Sequence, residues 1–400
     1  MLESHPRSTA VAYETLPWTP RFSRDQVGAT VWARIDAPYE ASIPAEIAGL
    51  DLRLDGDLSE ALAFAEGQII RFDSDVGHIT TPFAAILLRS ESALSSQIEN
   101  LTSSARAIAE AELGEREEGN APLIVSNARA MEAAIAAADS LDHATIIAMH
   151  RELLHRFEPA ITGRYREQQV WIGGSNYSPH GAAFVPPHHE RVPAAIDDFI
   201  AYSLQPSGSA LASIAVAHAQ FETIHPFPDG NGRTGRALVQ AAMRRSGLTR
   251  AVTVPISAGI LAQRARYFDA LGEYRRGNAI PIIEVFADGV ILAVKNGRRL
   301  VGDIESIREE WAERLHGVRA DSAAHAIARV ALQHPVLNSK LLRKQVGASS
   351  QAIYNGIDRL VERGVLRAAT SKRRNRLWLT PEVLQALDAF AERSARTNSW

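Results

Sequence analysis

The chain has 400 residues, 46% hydrophobic and 22% charged, with a formal net charge of −3 and no cysteine. That excludes a largely disordered chain, disulfide or thiolate chemistry, and a global field that would select the partner. It leaves room for two or three domains, without an apolar run of the ~18 residues a membrane span needs. The start, Met1-Leu2-Glu3-Ser4-His5-Pro6, lacks the basic-then-apolar layout of a signal peptide, so a cytoplasmic location is expected. Residues 1 to about 42 mix Pro, Thr, charge and aromatics and read as an extended arm or cap with little regular structure. Leu58, Leu62, Phe64, Ala65, Ile69 and Phe72 make an apolar stripe for a helix over 57–72. Pro82 suits the first turn of the next helix, which runs through Ala84, Ile86, Leu87, Leu94 and Ile98 and places Ser95 and Glu99 on one face. A charged loop over 114–120 ends this pair. Helices follow over 126–138, with Ser126 as N-cap, and over 141–157, where His143, His150 and His155 read as structural or surface histidines. Gln168 to Ile172 favours a strand, Gly173-Gly174-Ser175-Asn176 breaks it, and Ala183-Phe184-Val185 returns as a hairpin. Another helix covers 192–204.

Leu211, Ile214, Ala215, His218 and Phe221 recur at helical spacing, and so do Ala237, Leu238, Ala241 and Ala242. Between them lies His225-Pro226-Phe227-Pro228-Asp229-Gly230-Asn231-Gly232-Arg233-Thr234-Gly235-Arg236, a tight turn whose second helix opens near Gly232. A helix start leaves N–H groups without partners and carries partial positive charge, and glycines let a ligand approach the backbone. The turn reads as an anion nest suited to phosphate. Arg233 and Arg236 add charge-assisted donors, Asp229 is a candidate magnesium ligand, and His225 is a candidate proton acceptor near neutral pH. Two other readings are weaker. Gly230, Gly232 and Gly235 spell G-x-G-x-x-G, but a helix precedes them where a dinucleotide site needs a strand. His218, His225 and Asp229 offer zinc ligands, but His218 falls on the apolar face and no H-E-x-x-H or cysteine pattern accompanies them.

Residues 260–274 read as a helix in which Tyr267 and Tyr274 are core aromatics or adenine contacts, and Ile280 to about Leu315 as a long helix. From Asp321 to Thr380 eleven Lys or Arg stand against three acids. Helices over 322–333, 338–345 and 349–363, the last closed by Gly364, precede Val365-Leu366-Arg367 and Leu377-Trp378-Leu379, which bracket the basic loop Ser371-Lys372-Arg373-Arg374-Asn375-Arg376. That order resembles a winged helix-turn-helix domain. Residues 349–376 would then meet DNA, with the helix from Ser349 in the major groove and the loop on phosphates. The same fold used only for dimerisation or target docking stands beside that reading.

The segment from His225 to Arg236 fills every defined position of H-x-F-x-[DE]-G-N-G-R-x-x-R and resembles the signature of the Fic family of AMP transferases. The resemblance implies a mainly α fold: a Fic-type helical bundle with a β-hairpin flap, followed here by the winged-helix domain. The expected division is an N-terminal arm and helices over 1–120, a catalytic core over 121–318 and the winged helix-turn-helix over 319–400. It implies transfer of AMP from ATP, with Mg2+, to a Tyr, Thr or Ser hydroxyl of a target protein or of the chain itself. His225 would take the hydroxyl proton and Asp229 would hold the metal. Asn231 and the N–H groups around Gly230 and Gly232 would stabilise the α-phosphate, and Arg233 and Arg236 the outer phosphates. Thr234 and Gly235 complete the ATP-contacting run, and Tyr267 would lie near the nucleoside. The flap over 168–186 would dock the target by adding a strand. An intact Gly230-Asn231-Gly232 argues for AMP over phosphate or phosphocholine, because a lysine at the second glycine marks the kinase-like branch of the family.

Ser95-Ser96-Gln97-Ile98-Glu99-Asn100 matches the inhibitory motif [ST]-x-x-x-E-[GN] of some Fic proteins, which assigns Ser95, Glu99 and Asn100. If Glu99 reaches Arg236, that arginine is withdrawn from the γ-phosphate. The same glutamate could instead position a water that strips AMP from a target. A different class of function stays open, a DNA-binding regulator whose Fic core senses nucleotide, and a second copy of the chain is a further candidate partner.

Overall fold

The computed structural model describes residues 8–20, 23–79, 83–205, 208–369 and 376–396, so the start of the chain, Pro82 and most of the basic loop, Ser371 to Asn375, lie outside the described residues. In chain order the elements are β1 (Ala12–Leu16), α1 (Arg24–Val27), α2 (Ala29–Ile35), β2 (Tyr39–Ile43), α3 (Gly56–Gly77), α4 (Phe83–Ile98), α5 (Ala105–Glu112), α6 (Ala121–Ala136), α7 (His143–Leu154), α8 (Val192–Leu204), α9 (Ala210–Ile224) and α10 (Asn231–Arg245). Then come α11 (Ile256–Ala262), α12 (Arg264–Arg275), α13 (Ile280–Arg314), α14 (Ala323–Gln333), β3 (Val336–Asn338), α15 (Ser339–Val346), α16 (Ser350–Glu362), β4 (Arg367–Ala368), β5 (Leu377–Leu379) and α17 (Pro381–Ala395). The fold is mainly helical, as the apolar periodicity predicts. Helix starts follow from short polar side chains: Ser104, Asp142, Ser209, Ser322, Asn338 and Ser349 each accept a hydrogen bond from the first turn they precede. Ser126, expected as a cap, is instead buried inside α6, and the helix expected over 260–274 is two, broken at Gln263. No helix among the described residues is long and apolar enough to cross a membrane.

The chain gathers into two compact units, each made of three stretches: 1–63, 133–246 and 265–287 in one, 64–132, 247–264 and 288–400 in the other. They cut across the consecutive division at 120 and 318, because an apolar helix face buries against whatever partner the chain returns to it.

In the first unit the N-terminal stretch is more ordered than its composition suggests. β1 and β2 pair antiparallel, with Ala12 opposite Ile43 and Leu16 opposite Tyr39. Local turn chemistry gives no sign of this ladder, whose strands are separated by two short helices. Thr9 Oγ1 donates to Tyr274 O at 2.8 Å, and Gln220 Nε2 donates to Ala45 O at 2.8 Å, which straps the stretch to the helices. The core of this unit centres on α9, whose Leu211, Ala215, Phe221 and Ile224 are fully buried. Gly235 of α10 allows close approach, since a Cβ there would stand 3.1 Å from Phe221 Cδ1 and from Glu222 Oε1.

In the second unit α11 lies against α13 at Gly259, where a Cβ would run into the Gly289 main chain. Its C-terminal part carries α14, α15, α16 and a three-stranded antiparallel sheet ordered β3-β5-β4, with Val336 and Arg367 both opposite Leu379. Ile353, Ile357 and Leu360 of α16 are buried, while Gln351, Tyr354, Asn355 and Arg359 face solvent.

Candidate active site

The turn between α9 and α10 is built from the main chain outward. α9 ends on His225, at φ 51 and ψ 61, with its N–H still bonded to Phe221 O at 2.9 Å. The left-handed region is uncommon for a residue with a Cβ, and among the described residues His225 and Asn100 are the two non-glycines with positive φ. Gly230, at φ 75, re-aims the chain into α10, and a Cβ there would stand 2.9 Å from Leu153 Cδ2. Asn231 staples the turn: its Oδ1 accepts from Phe227 N–H at 2.8 Å and its Nδ2 donates to Phe227 O at 2.9 Å. The Phe227 ring stacks on His150 with centroids 3.8 Å apart, and His150 Nε2 bonds Asp229 O at 3.0 Å. The first helical bond of α10 runs from Thr234 N–H to Gly230 O at 3.0 Å. The N–H groups of Asn231 and Gly232 lie ahead of it, at the positive end of the helix.

Burial, and then the Arg166 and Arg275 cations, push the His225 pKa down to about 3, so its imidazole is neutral at physiological pH. Its Nδ1 is buried without a protein hydrogen-bond partner. Asp229 keeps 55% of its side chain exposed, with Oδ2 3.3 Å from Nη2 of the buried Arg233. Arg236 is also buried, and it adds to the burial that pushes His218 down to about 3. One exposed carboxylate beside a helix start fits magnesium, which takes one or two carboxylates and draws its remaining ligands from phosphate and water. The one group of three close His or acidic residues among the described residues is His188, His189 and Glu190, whose imidazoles suit a softer ion.

Four residues expected at the nucleotide have packing roles of their own. Both polar ends of the Asn231 amide are engaged by Phe227, so its part is shaping the turn. Thr234 is fully buried, and Gly235 packs against α9. Tyr267 is only 1% exposed, with its hydroxyl 2.8 Å from His218 Nε2, which makes it a core aromatic. His218 is likewise a core histidine.

The flap is reduced to one antiparallel bridge, Ile172 opposite Phe184, in place of two strands. Gly173 and Gly174 both take positive φ and bend the chain away from a ladder. Its feet are held by Gln169 Nε2, which donates to Pro186 O at 2.8 Å, and by the 3%-exposed Arg166. Arg166 Nε donates to His225 O at 2.8 Å and its main-chain N–H to Pro226 O at 2.9 Å. Arg166 and His150 were missed as site-shaping residues, because no local pattern marks an arginine or histidine whose partners are distant carbonyls.

In the other unit, Ser95 is fully buried on α4, which stops at Ile98, so Glu99 sits in the turn beyond and not on a shared helix face. Asn100, at φ 64, closes that turn, with Leu101 N–H donating to Ser96 O at 3.0 Å. The choice of Gly or Asn at the motif's last position is thus a backbone requirement, since these residues enter the left-handed region most readily.

Residues 140–243 match the Fic/DOC family. This stretch is a Fic domain. It contains the whole turn and the flap. The chain is 30% identical over 149 residues to protein adenylyltransferase fic-1 of Caenorhabditis elegans, covering 37% of this chain and 27% of that protein. It is 32% identical over 143 residues to protein adenylyltransferase Fic of Drosophila willistoni, covering 36% and 26%. The chain thus spans about a quarter of the length of these curated relatives. A Fic family protein from Desulfovibrio desulfuricans shares the fold, with a TM-score of 0.51 at 22% identity over 82% of this chain and 98% of that one.

Proposed function

We propose that the chain transfers AMP from ATP to a Tyr, Thr or Ser hydroxyl of a protein, itself included. The observation that carries this reading is a neutral imidazole, His225, at the close of one helix, across a stapled turn from the N–H groups that open the next. The attacking hydroxyl oxygen bonds to the α-phosphorus as the bond to the bridging oxygen of pyrophosphate breaks. His225 accepts the hydroxyl proton, and pyrophosphate leaves with the bonding electron pair. The first amides of α10 stabilise charge on the α-phosphate, while Arg233 and Arg236 steady the outer phosphates. Magnesium held by Asp229 would neutralise phosphate charge. The flap over 168–186 presents the target.

Glu99 restrains the reaction in this reading, on the strength of its motif, by competing for the arginine that the γ-phosphate needs. Incubation with labelled ATP tests both claims. Glu99→Gly should raise self-labelling above the wild type, and His225→Ala should remove it, a loss on the order of 10²–10⁴. Equal labelling by wild type and Glu99→Gly sinks the restraint, and undiminished labelling by His225→Ala sinks the mechanism.

A second reading rests on the α14-to-β5 region, whose helix–strand–helix–helix–strand–strand order supports a winged helix-turn-helix, with the polar face of α16 turned to solvent. Binding to duplex DNA that weakens steeply with salt and ignores His225→Ala would favour it.

A further inference from the structure

Arg166 is a buried cation whose side-chain hydrogen bonds all go to main-chain carbonyls. Nε reaches His225 O at 2.8 Å, Nη1 reaches Gln168 O at 3.1 Å, and Nη2 reaches Pro187 O at 2.6 Å and Ile224 O at 3.5 Å. With its own N–H on Pro226 O, it collects the carbonyls of residues 224, 225 and 226 in succession. The first two close the C-terminal end of α9, where a helix leaves carbonyls without partners and its dipole favours a positive charge, and the third lies one residue beyond. The other two carbonyls, of Gln168 and Pro187, are the two feet of the flap. Burying a guanidinium against carbonyls alone is costly, and a turn needing only closure could be served by a neutral donor. What this arginine adds is a planar fork that fixes several acceptors at once.

We propose that Arg166 is a positioning residue for AMP transfer: it locks the left-handed turn at His225 to both feet of the flap, so that the proton acceptor and the docking segment keep one geometry. This inference rests on the transferase reading. Arg275 of α12 is a lesser brace of the same kind, with its guanidinium 3.7 Å over the Phe184 ring and Nη2 3.4 Å from Glu222 O. Burial sets the charge state of His225 first; the groups that add to or oppose it are Arg166 from the flap loop, Arg275 from α12 and, on its own helix, the main chain of Glu222. Removing Arg166 therefore moves His225 towards easier protonation; loosened packing would act in the same direction, so the charge-conserving Arg166→Lys variant is what separates the two.

The test uses the full chain, self-labelling with ATP at neutral pH with each variant also made on a Glu99→Gly background, and NMR of labelled histidine titrated downward from neutral pH through the His225 pKa of about 3, with His225 assigned through His225→Gln. Arg166→Gln should cut the rate by about 10²-fold, since small misplacement of a reacting group costs that much. It should also move the His225 titration upward, with ATP affinity unchanged. Arg166→Lys keeps the charge and loses the fork, so its rate should fall by at least about tenfold while His225 titrates as in the wild type. An Arg166→Gln chain with wild-type rate and unmoved His225 titration, or an Arg166→Lys chain at full rate, overturns the proposal. Failure of the transferase reading looks different: the Glu99→Gly chain, freed of the restraint, itself leaves ATP untouched.

Discussion

The signature turn and the flap lie in the same unit and are held in opposite ways. The turn is wired through its own residues, with Asn231 clasping both polar groups of Phe227, His150 under the Phe227 ring, and left-handed residues at each end. The flap has one bridge, Ile172 to Phe184, and is otherwise held at its feet by Arg166 and Gln169. The difference suits the parts proposed for each. Phosphate transfer rewards donors fixed before the substrate arrives, whereas docking a peptide by strand addition needs a segment with main-chain groups left to offer.

The largest break in this contrast should come from Asn231→Ala. It orphans two buried main-chain groups of Phe227, at about 1–3 kcal/mol each, and releases the turn, so thermal stability and AMP transfer should both fall. A variant with wild-type melting and activity would show that the staple is dispensable. Acid should loosen the same region next. His150 is pushed down to about 4 and His218 to about 3, both mainly by burial, against an unfolded value near 6.5. Below pH 6.5 the unfolded chain therefore binds protons that the folded chain refuses. Stability is full above that pH and is lost as pH falls, by on the order of 2 kcal/mol per histidine at pH 5. Denaturant melts from pH 8 to 5 should slope accordingly, and His150→Gln should flatten the slope. The smallest effect belongs to the flap. Gly174 has φ 75, and a Cβ there would stand 2.9 Å from Gly181 O. Gly174→Ala strains only the loop, by about 1 kcal/mol. Labelling of a protein target should drop about fivefold through KM, with ATP affinity unchanged and the melting temperature lowered by no more than about 2–4 °C. A matching fall in ATP affinity would show that flap and turn are one device and not two.

Most helices were legible from apolar spacing, because a helix face is written within a few turns of chain. The chemistry of the turn was legible for a similar reason, since an imidazole, a carboxylate, two arginines and three glycines crowd one short stretch. The flap was legible as a break at Gly173 and Gly174 but not as a single bridge. The N-terminal ladder was missed because nothing near Ala12 announces Ile43. Tyr267 stood between core and nucleoside until its hydroxyl was seen on His218.

By itself the sequence determined which reactive groups this protein has, the course of most of its helices, and that His225 to Arg236 is a helix-to-helix turn. Only the tertiary structure decided that Asn231 serves the turn's own backbone, that Tyr267 is core, and that Arg166, 59 positions from His225 in the chain, grips that residue's carbonyl. The physical reason is one of range. Helix period, capping and turn chemistry act between neighbours, whereas a buried arginine takes its identity from acceptors that only the folded chain brings to it.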